Sequence, residues 1–206
     1  PDLQAIPLLD GESLSGWRGN PEVWRVEDGV LIGSSSPEKP LQRNEYLFWD
    51  GNASDFILEL EIKVLGGNSG IQYRSTRRGA HDIEGYQADL DADNTYTGAL
   101  YETYGRGLMA IRGQKRAYLF QDNRRDLGTI ADTETPAIKP EEWNTYRIVA
   151  DGPMLSHYLN GRLMSQVLDE DPERRRLEGN IALQVHTGPP MRVEVRNMTL
   201  QPLHGS

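Results

Sequence analysis

Gln87, Asp89 and Asp91 are the residues of this chain best spaced to do chemistry together. They occupy every second position of Gly85-Tyr86-Gln87-Ala88-Asp89-Leu90-Asp91, a stretch that reads as a β-strand. In a strand, side chains i, i+2 and i+4 share one face. The amide and both carboxylates therefore line one side, and Tyr86, Ala88 and Leu90 line the other. A row of this kind is either a solvated surface or the floor of a polar site, where carboxylates could serve as acid and base. Asp89-Xaa-Asp91-Xaa-Asp93 also invites a calcium reading. The EF-hand pattern fails, because Asn94 stands where the turn glycine belongs and Leu100 where the bidentate glutamate belongs. A divalent metal stays open as a cofactor, although the four histidines, His81, His157, His186 and His204, form no compact zinc pattern.

The elements that must position these residues are strands. The chain has 206 residues, a size at which an all-β sandwich commonly forms one domain, and residues 1–206 are read as one. Hydrophobic residues are 37% of the chain, enough for a core only if they alternate along strands. Phe56, Leu58, Leu60, Ile62 and Val64 do so, with Glu59, Glu61 and Lys63 on the opposite face. Val23–Val26 and Val30–Ile32 read as a hairpin turned at Asp28-Gly29. Tyr146–Ala150, His157–Leu159 and Arg162–Val167 read as three strands joined at Asp151-Gly152 and Asn160-Gly161. Further strands fall at Ile71–Arg74, Tyr86–Asp91, Ala117–Phe120, Asn180–His186 and Val193–Leu200. Only Asp171–Leu177, with Pro172 in its first turn, reads as helical. Ten or more strands with so little helix predict a sandwich or barrel.

Charge and composition remove several function classes. With 31 acidic against 22 basic residues the net charge is −9, a poor match for nucleic acid or an anionic membrane. The arginine clusters 77–78, 124–125 and 174–176 read as solvated loops. The absence of cysteine excludes disulfides, thiolate metal sites and a cysteine nucleophile. No apolar run approaches the length of a transmembrane helix. The sequence starts at Pro1 without a methionine, as a processed or trimmed chain would, and shows no leader.

A series of motifs runs the length of the chain in order. It comprises Leu8-Leu9-Asp10-Gly11-Glu12-Ser13-Leu14-Ser15-Gly16-Trp17, Trp24–Leu31, Asn68-Ser69-Gly70-Ile71-Gln72-Tyr73-Arg74 and Gly85-Tyr86-Gln87. Thr97-Gly98-Ala99-Leu100-Tyr101, Trp143–Ile148, Leu159-Asn160-Gly161, Gly179–His186 and Arg196-Asn197 follow. Together they resemble the 3-keto-disaccharide hydrolase domain family, also called DUF1080. The resemblance implies an all-β, concanavalin-A-like jelly roll: two curved antiparallel sheets with a polar groove on the concave one. It also implies a saccharide or 3-keto-glycoside ligand and a periplasmic or extracellular bacterial setting. At the central motif the chain departs from the family. The usual glutamate is Gln87, and the usual glutamine is Asp89 when the strand is kept in phase. Either the acid function has moved two residues along one face to Asp89, or this member binds sugar without cleaving it.

The resembled reaction acts on a glycoside already oxidised to a ketone at C3, which makes the C2 proton acidic. A base removes that proton, a donor steadies the enolate, the C1 substituent leaves, and water adds back. In that scheme Asp89 is the base and Gln87 orients a hydroxyl. Arg74, in phase with Gln72, polarises the carbonyl, holds a hydroxyl, or instead pairs structurally with an acid. His186, in phase with Gln184, supplies the acid for the leaving oxygen or a metal ligand. Glu102 is the second carboxylate, Asp91 and Gln184 complete the polar row, and Tyr101 stacks or donates. Trp49 or Tyr104 offers an aromatic platform, whereas Trp17, Trp24 and Trp143 read as core. A conventional two-carboxylate hydrolase is the rival. Residues i and i+2 lie about 6.5–7 Å apart along a strand, which does not separate the inverting from the retaining spacing.

Overall fold

A computed structural model describes residues 3–134 and 138–204. Its strands are, in chain order, β1 (Ile6–Pro7), β2 (Trp17–Arg18), β3 (Trp24–Glu27), β4 (Val30–Ser34), β5 (Glu45–Trp49), β6 (Phe56–Leu65), β7 (Asn68–Arg78) and β8 (Asp82–Asp91). There follow β9 (Leu100–Thr103), β10 (Gly107–Ala110), β11 (Gln114–Leu119), β12 (Asn123–Thr129), β13 (Asn144–Asp151), β14 (Met154–Leu159), β15 (Arg162–Asp169), β16 (Asn180–Val185) and β17 (Arg192–Pro202). They form two sheets. The larger runs β12-β11-β15-β14-β13-β6-β17-β4-β3, with β1 added beside β17. The smaller runs β10-β9-β8-β7-β16-β5-β2. Every pairing is antiparallel except β11 with β15. This is the predicted all-β jelly roll.

Local chemistry explains the elements. In β6 the five apolar residues are at most 5% exposed and alternate with half-buried Ile57, Glu59, Glu61 and Lys63, so the strand seats one face on the core. Asp28 and Gly29, and likewise Asn160 and Gly161, adopt positive φ, the condition for a tight primed hairpin turn. The helix expected over 171–177 is instead a single turn. The Asp171 carboxylate accepts the Glu173 N–H and the Asp171 carbonyl accepts the Arg175 N–H, but nothing continues the ladder. The one helical segment among the described residues is a 3-10 turn, Phe120–Asp122.

The core lies between the sheets and takes Phe56, Leu58, Tyr73, Tyr86, Tyr146, Ile148 and Leu183 among its largest members. Trp17 and Trp24 belong to it, and Trp49 packs against it from β5. Trp143 does not: it lies against the Lys63 and Arg196 side chains, 5.0 and 4.0 Å from its ring. In the smaller sheet, burial is unbroken from Gly85 to Asp91. There the polar outer face is closed by its own side chains packing on one another.

Candidate functional site

The site is the outer face of the smaller sheet. Ladder register fixes which side chains share it, because directly opposed residues point the same way. Gln72 stands opposite Gln87, and Gln87 opposite Tyr101, which in turn faces Leu108. One step along, Gly70 opposes Asp89 and Gln184 opposes Tyr46. These rows floor a cleft of about 780 Å³, bordered also by Asn68, His186, His81 and Tyr104.

A directed chain of hydrogen bonds crosses that floor. The Ser75 hydroxyl donates to Gln72 Oε1 at 2.7 Å. Gln72 Nε2 donates to Gln87 Oε1 and to Thr103 Oγ1, both at 2.8 Å. Gln87 Nε2 donates to Asp89 Oδ1 at 2.6 Å and to Gln184 Oε1 at 3.1 Å. Gln184 Nε2 then donates to the Tyr46 hydroxyl oxygen at 3.1 Å. Gly70 makes the crowding feasible, since a Cβ there would lie 2.6 Å from Gln87 Nε2.

Asp89 is 7% exposed and borders the cleft. Its Oδ2 accepts no hydrogen bond among the described residues, so one carboxylate oxygen is held and the other is open. Burial pushes this carboxyl up to about 7; the Gln87 bond opposes the shift and the nearby Asp91 charge adds to it. A carboxylate in that range is poised to take and release a proton at neutral pH. The Tyr46 hydroxyl is pushed up to about 12, chiefly by burial, so it stays a donor at neutral pH. His186 donates from Nδ1 to the Thr187 carbonyl, which leaves Nε2 for a ligand.

Three expected site residues are committed to other partners. Arg74 does not reach the cleft. It has φ +46 and lies in a register shift between Tyr73 and Thr76, where two residues of β7 face Gly85 alone. The bulge breaks the alternation and turns its guanidinium toward the Ser54, Gly152 and Arg176 carbonyls and the Asp55 carboxylate. It is fully buried there. Asp91 shares the strand phase of Asp89, but its carboxylate accepts the N–H groups of Thr95, Tyr96 and Thr97 and the Thr97 hydroxyl. It therefore shapes the loop. Glu102 borders the cleft, but it stands opposite core-facing Tyr86 and binds Arg106 at 2.6 Å, in a buried network with Asp169 and the Tyr86 hydroxyl.

Gln87, Asp89, Gln184, Tyr101 and His186 converge on the cleft. Tyr104 is at its rim, its hydroxyl donating to Asp82 at 2.5 Å and one ring face covered by Arg78. Trp49 faces inward and offers no platform. Asp89, Asp91 and Asp93 do not gather their oxygens as a cation would require. The sole group of three such ligands among the described residues is Asp55, Asp151 and His204, where Arg74 already holds Asp55 at 2.8 Å. Sequence reasoning missed Tyr46 and did not assign Gln72 a role. Tyr46 sits in Glu45-Tyr46-Leu47-Phe48-Trp49, which is apolar on both faces and shows no alternation. The phase of Gln72 with Gln87 across the β7–β8 hairpin was its available signal.

Two largely antiparallel sheets of this topology, with a polar cleft on the smaller one, define a jelly roll. Residues 4–201 match the model of the 3-keto-alpha-glucoside-1,2-lyase-like domain, and the chain belongs to that family. Among solved structures it resembles an inferred glycosyl hydrolase from Parabacteroides distasonis, with a TM-score of 0.67, 21% identity and coverage of 97% of this chain and 100% of that one. It also resembles a carbohydrate binding module from Bacillus subtilis, with a TM-score of 0.59, 19% identity and coverage of 90% and 95%. A Bacillus licheniformis beta-glucanase aligns with a TM-score of 0.59 at 10% identity over 99% of both chains. These likenesses show a shared fold. No curated protein matches the sequence.

Proposed function

We propose that this protein cleaves 3-keto-glycosides at the glycosidic bond, with Asp89 as the base. The observation that carries this is a single open carboxylate oxygen, Asp89 Oδ2, on the floor of the cleft. Oδ2 takes the C2 proton, the C2–H electron pair becomes the C1–C2 double bond through a C3 enolate, and the C1–O bond breaks. Water then adds at C1 to give the free keto sugar. The Tyr46 hydroxyl accepts from Gln184 and has its own hydrogen to donate to the enolate oxygen. The proton held by Oδ2 passes to the leaving oxygen at C1, and in the hydration Oδ2 takes a proton from the adding water and gives it to C2. His186 Nε2, on the β16 side of the cleft, accepts from a sugar hydroxyl.

The occupied carboxylates favour this route over conventional glycoside hydrolysis, which needs two carboxyl groups at the scissile bond. Asp91 is committed to backbone N–H groups, Glu102 to Arg106, and Asp82 to Tyr104. Proton abstraction beside a ketone needs only one. A second reading, sugar binding without cleavage, is favoured by Gln87 standing where the family's glutamate is expected.

The test is incubation with a 3-keto-glucoside and its unoxidised parent, with and without a chelator. Cleavage of the keto sugar alone, reduced by about 10²–10⁴ in Asp89→Asn, is the expected result. Cleavage of the parent favours the two-carboxylate enzyme, and binding without cleavage favours the module. Full activity in Asp89→Asn rejects the base assignment.

A further inference from the structure

The two walls of the cleft differ in chemistry. On the β5–β16 side stand Asn44, Arg43 and His186, all polar. On the β9–β10 side stand Tyr101 and Leu108, with Thr103 and the Arg106-bound Glu102 beside Tyr101, and Tyr96 also borders the cleft. Tyr101, Leu108 and Tyr96 are 40%, 38% and 46% exposed. Nine large hydrophobic side chains are exposed among the described residues, and four of them (these three and Tyr104) border this one cleft. Single exposed apolar residues need no explanation, but a cluster at a cleft marks a binding surface.

We propose that the leaving group of the substrate is an aromatic, apolar aglycone, seated on Tyr101 and Leu108. The inference rests on the floor around Asp89 being the sugar site. Gln87, Tyr101 and Leu108 form one row across three adjacent strands. Strands lie about 4.8 Å apart, so Tyr101 is one spacing and Leu108 two spacings from Gln87. A sugar ring over Gln87 and Asp89 with C1 turned toward β9 places whatever C1 carries above Tyr101 and Leu108. Leu108 offers no hydrogen bond, and hydroxyl groups laid against it lose water without replacement. A second sugar suits that position poorly. A flat apolar ring buries area against both side chains and stacks on the tyrosine. Tyr104 is not part of the seat, because Arg78 already covers one of its faces.

The probes are phenyl and methyl glucosides of the same anomer, neither carrying a 3-ketone, titrated calorimetrically into Asp89→Asn and into the unsubstituted protein. We expect phenyl glucoside to bind at least about tenfold more tightly than methyl glucoside. That gap should close in Leu108→Asp, with melting curves confirming its fold. Equal binding of the two, undetectable binding of both, or a gap that survives Leu108→Asp overturns the proposal. The 3-keto-glucoside assay reads the other question separately. A phenyl preference without keto-sugar cleavage leaves the seat standing and rejects the lyase reading. Cleavage with equal binding rejects the seat alone.

Discussion

In the folded chain the Asp89 carboxyl keeps its proton up to about pH 7, whereas its ordinary value is 3.8. An acid whose folded value is raised contributes stability that is complete below the unfolded value and is lost as pH rises through the folded one. At pH 8 the buried, charged Asp89 therefore costs the fold up to roughly 4 kcal/mol. Asn at this position keeps the acceptor for Gln87 Nε2 and carries no charge. We expect Asp89→Asn to melt at least about 4 °C higher than the unsubstituted protein at pH 8, with the gap vanishing near pH 4. A gap independent of pH would show that Asp89 is not held protonated by burial. This residue was legible in the sequence, because strict alternation in Tyr86–Leu90 places it on the polar face. Arg74 was not legible. Alternation assigns it to the same face as Gln72, and only the left-handed backbone at Arg74 itself cancels that phase.

That bulge is an element-scale device. Gly85 of β8 has φ +142, and a Cβ on it would lie 2.4 Å from Ser75 Oγ. Gly179, which leads into β16, has φ +157 and would set a Cβ 2.4 Å from the Arg74 backbone. Glycines on both flanks thus admit the extra residue. The Arg74 guanidinium then ties β7 to the loops at Ser54, Gly152 and Arg176. Arg74→Met leaves those carbonyls and Asp55 without their partner, at a cost of about 3–5 kcal/mol. We expect a large drop in melting temperature with KM for a 3-keto-glucoside unchanged in the protein that remains folded. A raised KM at unchanged stability would return Arg74 to the cleft. The sequence located most long strands to within a few residues. It overextended the turn at Asp171 into a helix, since proline and the following charged residues satisfy a helix start whether or not the ladder continues.

For the molecule as a whole, two buried titrations pull in opposite directions. His157 lies in the core, bonded at 2.8 Å to the Tyr73 hydroxyl, and burial holds it down at about 4 against its ordinary 6.5. A base with a depressed folded value contributes stability that is present above the unfolded value and is lost as pH falls through the folded one. Between about pH 4 and 6.5, acid thus removes the His157 contribution while restoring that of Asp89. The summed stability curve hides both. His157→Gln separates them: its melting temperature relative to the unsubstituted protein should climb as pH is lowered across that window. A constant difference would mean His157 is not kept neutral by the core. The jelly roll itself was readable from composition and motifs, but the sequence motifs did not show which carboxylates were spent. Asp91 and Glu102 are consumed by groups brought to them by a loop and a hairpin.

The amide chain across the cleft floor has one more consequence. Glutamine N–H groups do not ionise near neutral pH, so Ser75, Gln72 and Gln87 can point at Asp89 but cannot carry a hydrogen away from it. The floor is a cul-de-sac with room for one mobile hydrogen. Whatever Asp89 takes from a bound molecule can leave only upward, to that same molecule or to the water that replaces it. In the proposed reaction, each turnover would therefore empty the carboxylate through the mouth of the cleft before the next could begin.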